Sequence, residues 1–236
     1  MAVAAPQVDV EALGAQLLGR WRDMRLAARA FAADPRMAKI EGLPVPEHRA
    51  PVLDQRKTLA AEADVLRAFP TRLGGADDHG ASIARFEELV AADPSLQIKA
   101  GVQWGLFASA ILHLGTPEQQ DRLLPGAMDV SVPGAFAMTE SGHGSDVASI
   151  GTTATYDPET QEFVIHTPFR GAWKDYLGNA ALHGVAATVF AQLITNGVNH
   201  GVHCFYVPIR EVNPDGTAGA FLPGVGGEDD GVKGGL

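Results

Sequence analysis

The spacing of apolar residues changes near residue 130, and no other feature of the chain constrains its fold as strongly. Before that point the apolar positions recur at three- and four-residue steps. Leu13, Leu17, Trp21, Met24, Ala28 and Phe31 fall on one face of a helix predicted from Val10 to Phe31 and ended by Asp34-Pro35. A second helical pattern covers about Arg49 to Phe69, and a third, ASIARFEELVAA, sets Ile83, Phe86 and Val90 on one side. Asp93 and Pro94 suit the cap and the first position of a further helix, LQIKAGVQWGLFASAIL, which is apolar nearly all round and is expected to be buried. Thr116-Pro117-Glu118-Gln119 then reads as a capping box opening a helix to about Met128. The stripes, with Trp21, Trp104 and Phe107, are read as core.

From Val132 the pattern alternates. TTATYD and QEFVIHT flank Asp157-Pro158-Glu159-Thr160, where Pro158 fits the second position of a type I turn, so the pair is a predicted hairpin. VAATVFAQLI runs to Thr195-Asn196-Gly197 and GVHCFYVPI follows, a second antiparallel pair. Helices followed by strands give an α+β chain: an all-helical N-terminal domain over 1–130 and an antiparallel β domain over 131–236.

Composition removes several classes of function. The formal net charge of −10, with 18 Lys and Arg spread thinly, disfavours a nucleic-acid surface. Cys204 stands alone, so disulfides and multi-cysteine metal sites are not predicted. No run approaches the roughly 20 apolar residues of a membrane span, and the N-terminus has no basic start leading into an apolar core. A soluble intracellular protein with small-molecule or protein partners is the expectation. His200 and His203 lie on a strand-like segment whose spacing does not bring both rings to one metal, so no metal site is predicted.

The chemistry is concentrated in FAMTESGHGSDVASI. A strand of small and apolar residues, Gly134 to Met138, delivers Thr139 and Glu140 to its end, and Gly142 and Gly144 free the backbone to approach a ligand or adopt positive φ. Backbone N–H groups and hydroxyls collected in such a loop suit a phosphate or a planar cofactor with a polar edge. GHGSDV lacks the third glycine of the dinucleotide fingerprint, and no P-loop is present. His143, Ser145 and Asp146 invite a serine-hydrolase reading, but near neighbours in sequence do not form the relay and the G-x-S-x-G elbow is missing.

AFAMTESGHGSDVASIGTTATYDPETQEFVIHTP, AWKDYLGNAA and AQLITNGVNHGVHCFYVPIRE together resemble the acyl-CoA oxidases, the flavin-dependent branch of the acyl-CoA dehydrogenase superfamily, and DPSLQIKAGVQWGLFASAILHLGT resembles that family's helix before the strand domain. The resemblance implies FAD as cofactor, an acyl-CoA substrate, a homo-oligomer in the full-length family, and C-terminal helical domains that this chain does not contain. It implies oxidation of acyl-CoA to trans-2-enoyl-CoA with O2 reduced to hydrogen peroxide, in the cytoplasm, or in the peroxisome of a eukaryote. Thr139 then bonds the polar edge of the isoalloxazine with Met138 beside it, Ser145 reaches the cofactor or the CoA portion, Trp173 packs near the flavin and Gly178 lets the chain approach it. AWKDYLGN departs from the Trp-Trp-Pro-Gly-Gly type of segment common in these oxidases. No catalytic base is assigned within the chain: the family's base is a glutamate of the C-terminal helices, and Glu140 is expected to be structural. The alternative is a non-catalytic fragment or split subunit that binds FAD only with a partner.

Overall fold

A computed structural model describes residues 8–61 and 63–225. Backbone contacts divide the chain into two compact units, Met1–Ile98 and Lys99–Leu236.

The first unit is helical. Helices α1 (Val10–Leu18) and α2 (Arg22–Ala32) replace the single helix expected from the apolar spacing, because Gly19 takes a positive φ of 62° at the end of α1 and a 3-10 turn over Gly19–Trp21 follows. Helices α3 (Val45–Ala60) and α4 (His79–Glu88) complete the frame, with α5 (Pro94–Ala100) starting at its end. Asp93 caps α5 as its position predicts, accepting from the Ser95 amide at 2.7 Å.

The first stripe is core only in its second half, where Ala28 and Phe31 are buried, and the third is not core. Helix α1 buries none of its residues, and Leu17 is 77% exposed. Along α4 and the 3-10 turn Leu89–Ala91 that follows it, the Ile83, Phe86 and Val90 side faces outward, Ile83 at 58%, while Ala81, Ala84, Arg85 and Leu89 are buried. Small side chains on that inner face let α4 approach α2 closely, and Glu88 joins the pair by accepting from Arg29 Nε at 2.7 Å and Arg25 Nη1 at 3.1 Å. Periodicity found the right faces of α4 and assigned the larger residues to the wrong one.

The second unit opens with a π-helical stretch over Gly101–Ala108, followed by α6 (Ser109–Leu114) and α7 (Pro117–Met128). Gln103, Trp104, Phe107, Ala108, Ala110 and Ile111 are buried, whereas Leu106 and Leu114 face out, so this helical run is buried along one side rather than all round. The capping box of α7 is present in both directions between Thr116 and Gln119.

The strands are β1 (Gly134–Ala137), β2 (Thr153–Asp157), β3 (Glu162–His166), β4 (Ala186–Thr195) and β5 (Val198–Pro208), with β6 (Arg210–Val212) and β7 (Ala218–Phe221) in a separate ribbon. Both predicted hairpins form: β2 pairs antiparallel with β3, and β4 with β5 through Asn196-Gly197, whose φ values of 51° and 75° suit a type I′ turn. The five-stranded sheet is mixed, not antiparallel as expected. Both β1 and β2 run parallel to β4, reached by long crossover segments that alternation along each strand does not reveal.

Since β5 pairs along nearly the whole of one edge of β4, β1 and β2 share the other. They lie end to end there, β1 against residues 186–189 and β2 against 192–194. Ala135, Ala137, Ala180, Ala187, Val189 and Ile209 form the core beneath. Gln103 and Phe107 lock β1 to the helical run. The Gln103 side chain accepts from the Gly134 amide at 2.9 Å, and Gly134 has no Cβ because the Phe107 ring fills that place.

Candidate functional site

Between β1 and β2 the chain leaves the β4 edge and returns to it, and residues 138–152 form that excursion. Its ends are separated by about 10 Å along β4, three residues of register at about 3.3 Å each, so most of the segment must project from the sheet.

Glu140 anchors the excursion. Its carboxylate is buried and accepts from the Gly151 amide at 2.7 Å, the Thr152 amide at 2.9 Å, the Thr152 hydroxyl at 2.6 Å and the Lys174 ammonium at 3.1 Å. Burial by itself raises the Glu140 carboxyl pKa, but the Thr152 hydroxyl, the two amides and the Lys174 charge outweigh it and hold the group below its ordinary value. Burial also lowers the Lys174 pKa, and the hydrogen bond to Glu140 opposes that shift. The same ammonium donates to the Met138 carbonyl at 3.0 Å and the Phe190 carbonyl at 2.7 Å. Glu140 is thus structural, as its position in the loop suggested.

Residues 169–175 form the second wall. Ser141 donates its amide to the Trp173 carbonyl and Gly142 to the Gly171 carbonyl, both at 2.8 Å, and the Asp175 amide donates to the Thr139 carbonyl at 3.0 Å. Gly142 suits this close approach of two backbones: a Cβ there would lie 3.0 Å from the Gly171 oxygen, which would have to shift slightly. Neither Gly142 nor Gly144 has a positive φ, and Gly144 faces open space.

The residues proposed to hold a cofactor fall around these walls. Met138 and Thr139 are half-buried at the end of β1. The carbonyls of both are bonded, while the Thr139 amide and hydroxyl have no hydrogen-bond partner among the described residues. Trp173 is half-buried with the Arg170 guanidinium 4.2 Å above its ring. Ser145 is exposed, and its hydroxyl likewise has no partner among the described residues, so no Ser–His–Asp relay is formed. Gly178 meets a helix: a Cβ on it would come within 2.7 Å of Val102 Cγ2.

Two participants escaped the sequence reading. Lys174 lies in AWKDYLGN, where a single lysine reads as a solvated charge, and Thr152 reads as the start of a strand. The one available signal was a lone cation in a run that must stay close to a buried glutamate. His200 bonds the Thr195 hydroxyl at 2.8 Å, and no cluster of metal-ligating groups occurs among the described residues. No helix among them is long and apolar enough to cross a membrane.

A cavity of about 830 Å3 lies elsewhere in the second unit, lined by Ile111, Arg122, Phe163, Cys204, Tyr206 and Val225 among others, and none of the proposed cofactor residues reaches it.

The acyl-CoA dehydrogenase N-terminal domain profile matches residues 21–131. The chain is 44% identical over 196 residues to acyl-coenzyme A oxidase 2, peroxisomal, of Arabidopsis thaliana, covering 80% of this chain and 27% of that protein. Among solved structures, acyl-CoA oxidase 1 of Yarrowia lipolytica superposes with a TM-score of 0.74 at 28% identity, over 91% of this chain and 31% of that one. Acyl-CoA oxidase-1 of Caenorhabditis elegans, solved with FAD and ATP, superposes with a TM-score of 0.66 at 28% identity, over 92% of this chain and 32% of that one. The chain therefore spans about a third or less of these relatives. In sequence and fold the chain is thus similar to the N-terminal part of the acyl-CoA oxidases, and its residues 21–131 match the acyl-CoA dehydrogenase N-terminal domain.

Proposed function

We propose that this chain contributes the flavin-facing part of an acyl-CoA oxidase, which converts acyl-CoA to trans-2-enoyl-CoA in fatty-acid β-oxidation. The observation that carries the reading is Thr139. The residue is half-buried, and its amide and hydroxyl are both unpartnered among the described residues, although the Met138 and Thr139 carbonyls are bonded. Two adjacent donors left open where the strand ends are available to an acceptor supplied by a ligand, and the polar edge of FAD offers such acceptors. The chemistry that FAD supplies when bound is acceptance of the β-hydrogen as hydride and delivery of two electrons to O2, giving hydrogen peroxide.

The residues of the chain orient and stabilise. Thr139 places two donors where negative charge would build, an electrostatic role that costs no reorganisation during reaction. Met138 and Trp173 offer apolar surface beside it, and exposed Ser145 is free to reach a phosphate or the CoA portion. Gly178 acts one layer back, letting its segment pack against Val102. Glu140 is committed to its donors, so removal of the α-proton falls to a carboxylate other than Glu140. In a eukaryote the same reading puts the protein in the peroxisome, where relatives such as the Arabidopsis oxidase are named as residing.

Titration of the chain with FAD, followed by quenching of flavin fluorescence, tests the reading. Thr139→Val keeps the volume and removes one donor, so the dissociation constant should rise about 2- to 13-fold, equivalent to about 0.5–1.5 kcal/mol for a net hydrogen bond. Equal affinity of the two proteins would refute the assignment of Thr139.

A further inference from the structure

With β1 ending opposite Val189 and β2 starting opposite Gln192, the β4 edge at Phe190 faces no strand. The Phe190 carbonyl would be left there without a strand donor in a half-buried place. Lys174 fills that position, and its three N–H groups meet three acceptors: Phe190 O at 2.7 Å, Met138 O at 3.0 Å and Glu140 Oε1 at 3.1 Å. Glu140 passes the connection on to the Gly151 and Thr152 amides, where the loop returns to the sheet. One buried cation therefore ties together the departing end of the loop, its returning end and the strand both ends lean on.

Thr139 lies between the two residues that Lys174 holds, Met138 and Glu140, and its carbonyl is fixed by the amide of Asp175, the residue after Lys174. Lys174 and its neighbour thus hold the carbonyl before Thr139, the carbonyl of Thr139 itself and the side chain after it, leaving the Thr139 hydroxyl and amide without a partner among the described residues. We infer that Lys174, through its ion pair with Glu140, is a positioning residue that aims Thr139 at the flavin edge. The inference rests on the reading of this loop as an FAD site. Lys174 is fully buried and works through the backbone it holds. A lysine suits this place because three convergent acceptors need three donors from one compact head group, which no neutral side chain supplies.

Two measurements on the 236-residue chain test this. In FAD titrations, Lys174→Met, Thr139→Val and the double variant form a cycle. If Lys174 acts through Thr139, each single change raises the dissociation constant and the double variant is no weaker than the weaker single one. Fold-changes that multiply would overturn the inference, because Lys174 would then influence affinity by a separate route. Amide hydrogen exchange of the ligand-free chain gives the second readout and includes Glu140→Gln, which keeps the shape and removes the charge in case Lys174→Met does not fold. The Ser141 and Gly142 amides, bonded across to Trp173 and Gly171, should exchange at least about tenfold faster in either variant, with the β4–β5 amides unchanged. Uniform acceleration across the sheet, or unchanged exchange in the loop, would show a general structural role and refute positioning whichever way the titrations fall. Absence of saturable FAD binding by the unaltered chain would instead refute the FAD reading itself.

Discussion

Gln103 is the side chain on which the placement of β1 depends, and its replacement by leucine should be among the most damaging single changes in the second unit. The side chain is fully buried. Its amide nitrogen donates to the Ala127 carbonyl at 2.8 Å and the Val132 carbonyl at 3.0 Å, and its oxygen accepts from the Gly134 amide at 2.9 Å. Leucine has a similar volume, so the change removes three hydrogen bonds while opening little space. Two carbonyls and one amide are left buried, at about 1–3 kcal/mol each. The greater transfer free energy of leucine offsets about 1–2 kcal/mol of that total. The net loss should be about 1–8 kcal/mol, centred near 4–5, a large share of the roughly 5–15 kcal/mol that holds a typical domain together. Urea unfolding followed by tryptophan emission measures it, since Trp104 and Trp173 both lie in the second unit and the Trp104 indole bonds the Met128 carbonyl at 3.0 Å beside the altered site. A loss below about 1 kcal/mol would mean that the freed groups find other partners at little cost, and that Gln103 does not anchor β1.

Gly134→Ala drives a methyl into the fully buried Phe107 ring and should cost at least about 1–3 kcal/mol by overpacking; an unchanged urea midpoint would show that the ring yields freely. The folded-state pKa of Glu140 is lowered, so its stabilising contribution is full above the unfolded value of about 4.3 and is lost as the pH falls through the folded value. Wild type should therefore exceed Glu140→Gln in stability at pH 7 and converge toward it in acid, and a constant difference between pH 7 and about pH 3.5 would contradict the shift. Mixed anaerobically with FAD and a saturated acyl-CoA, these residues should leave the flavin absorbance decaying no faster than that of free FAD, because Glu140 is committed to its donors; rapid bleaching would make a carboxylate of this chain the base.

Features encoded within a few residues were legible in the sequence. The Thr116–Gln119 capping box, the Asp93 cap and the Asn196-Gly197 turn each depend on local hydrogen bonds or dihedral angles, and each is present. What covers a helix face is not local, which is why Leu17 and Ile83 read as core and are exposed. The loop was recognisable from its small polar residues, yet Lys174 was not, because a buried lysine differs from a solvated one only in what the distant chain brings to it.

Strand direction belongs with these non-local features, and here it bears on function. In an antiparallel sheet β1 and β2 would lie side by side, and a connection between them would close as a hairpin turn over its own strands. Because both run parallel to β4 on one edge, their ends face each other about 10 Å apart across Phe190, while residues 138–152 could reach about 50 Å if extended. The excess length has to leave the sheet, and leaving the sheet interrupts its hydrogen bonds at a buried edge. That interruption demands a donor, which Lys174 supplies, and the cation in turn demands an anion, which Glu140 supplies from within the loop. Repair of the sheet edge and fixation of the loop are thus one set of bonds. Thr139 sits between them with its donors unspent, a consequence of the parallel pairing as much as of the motif that carries it.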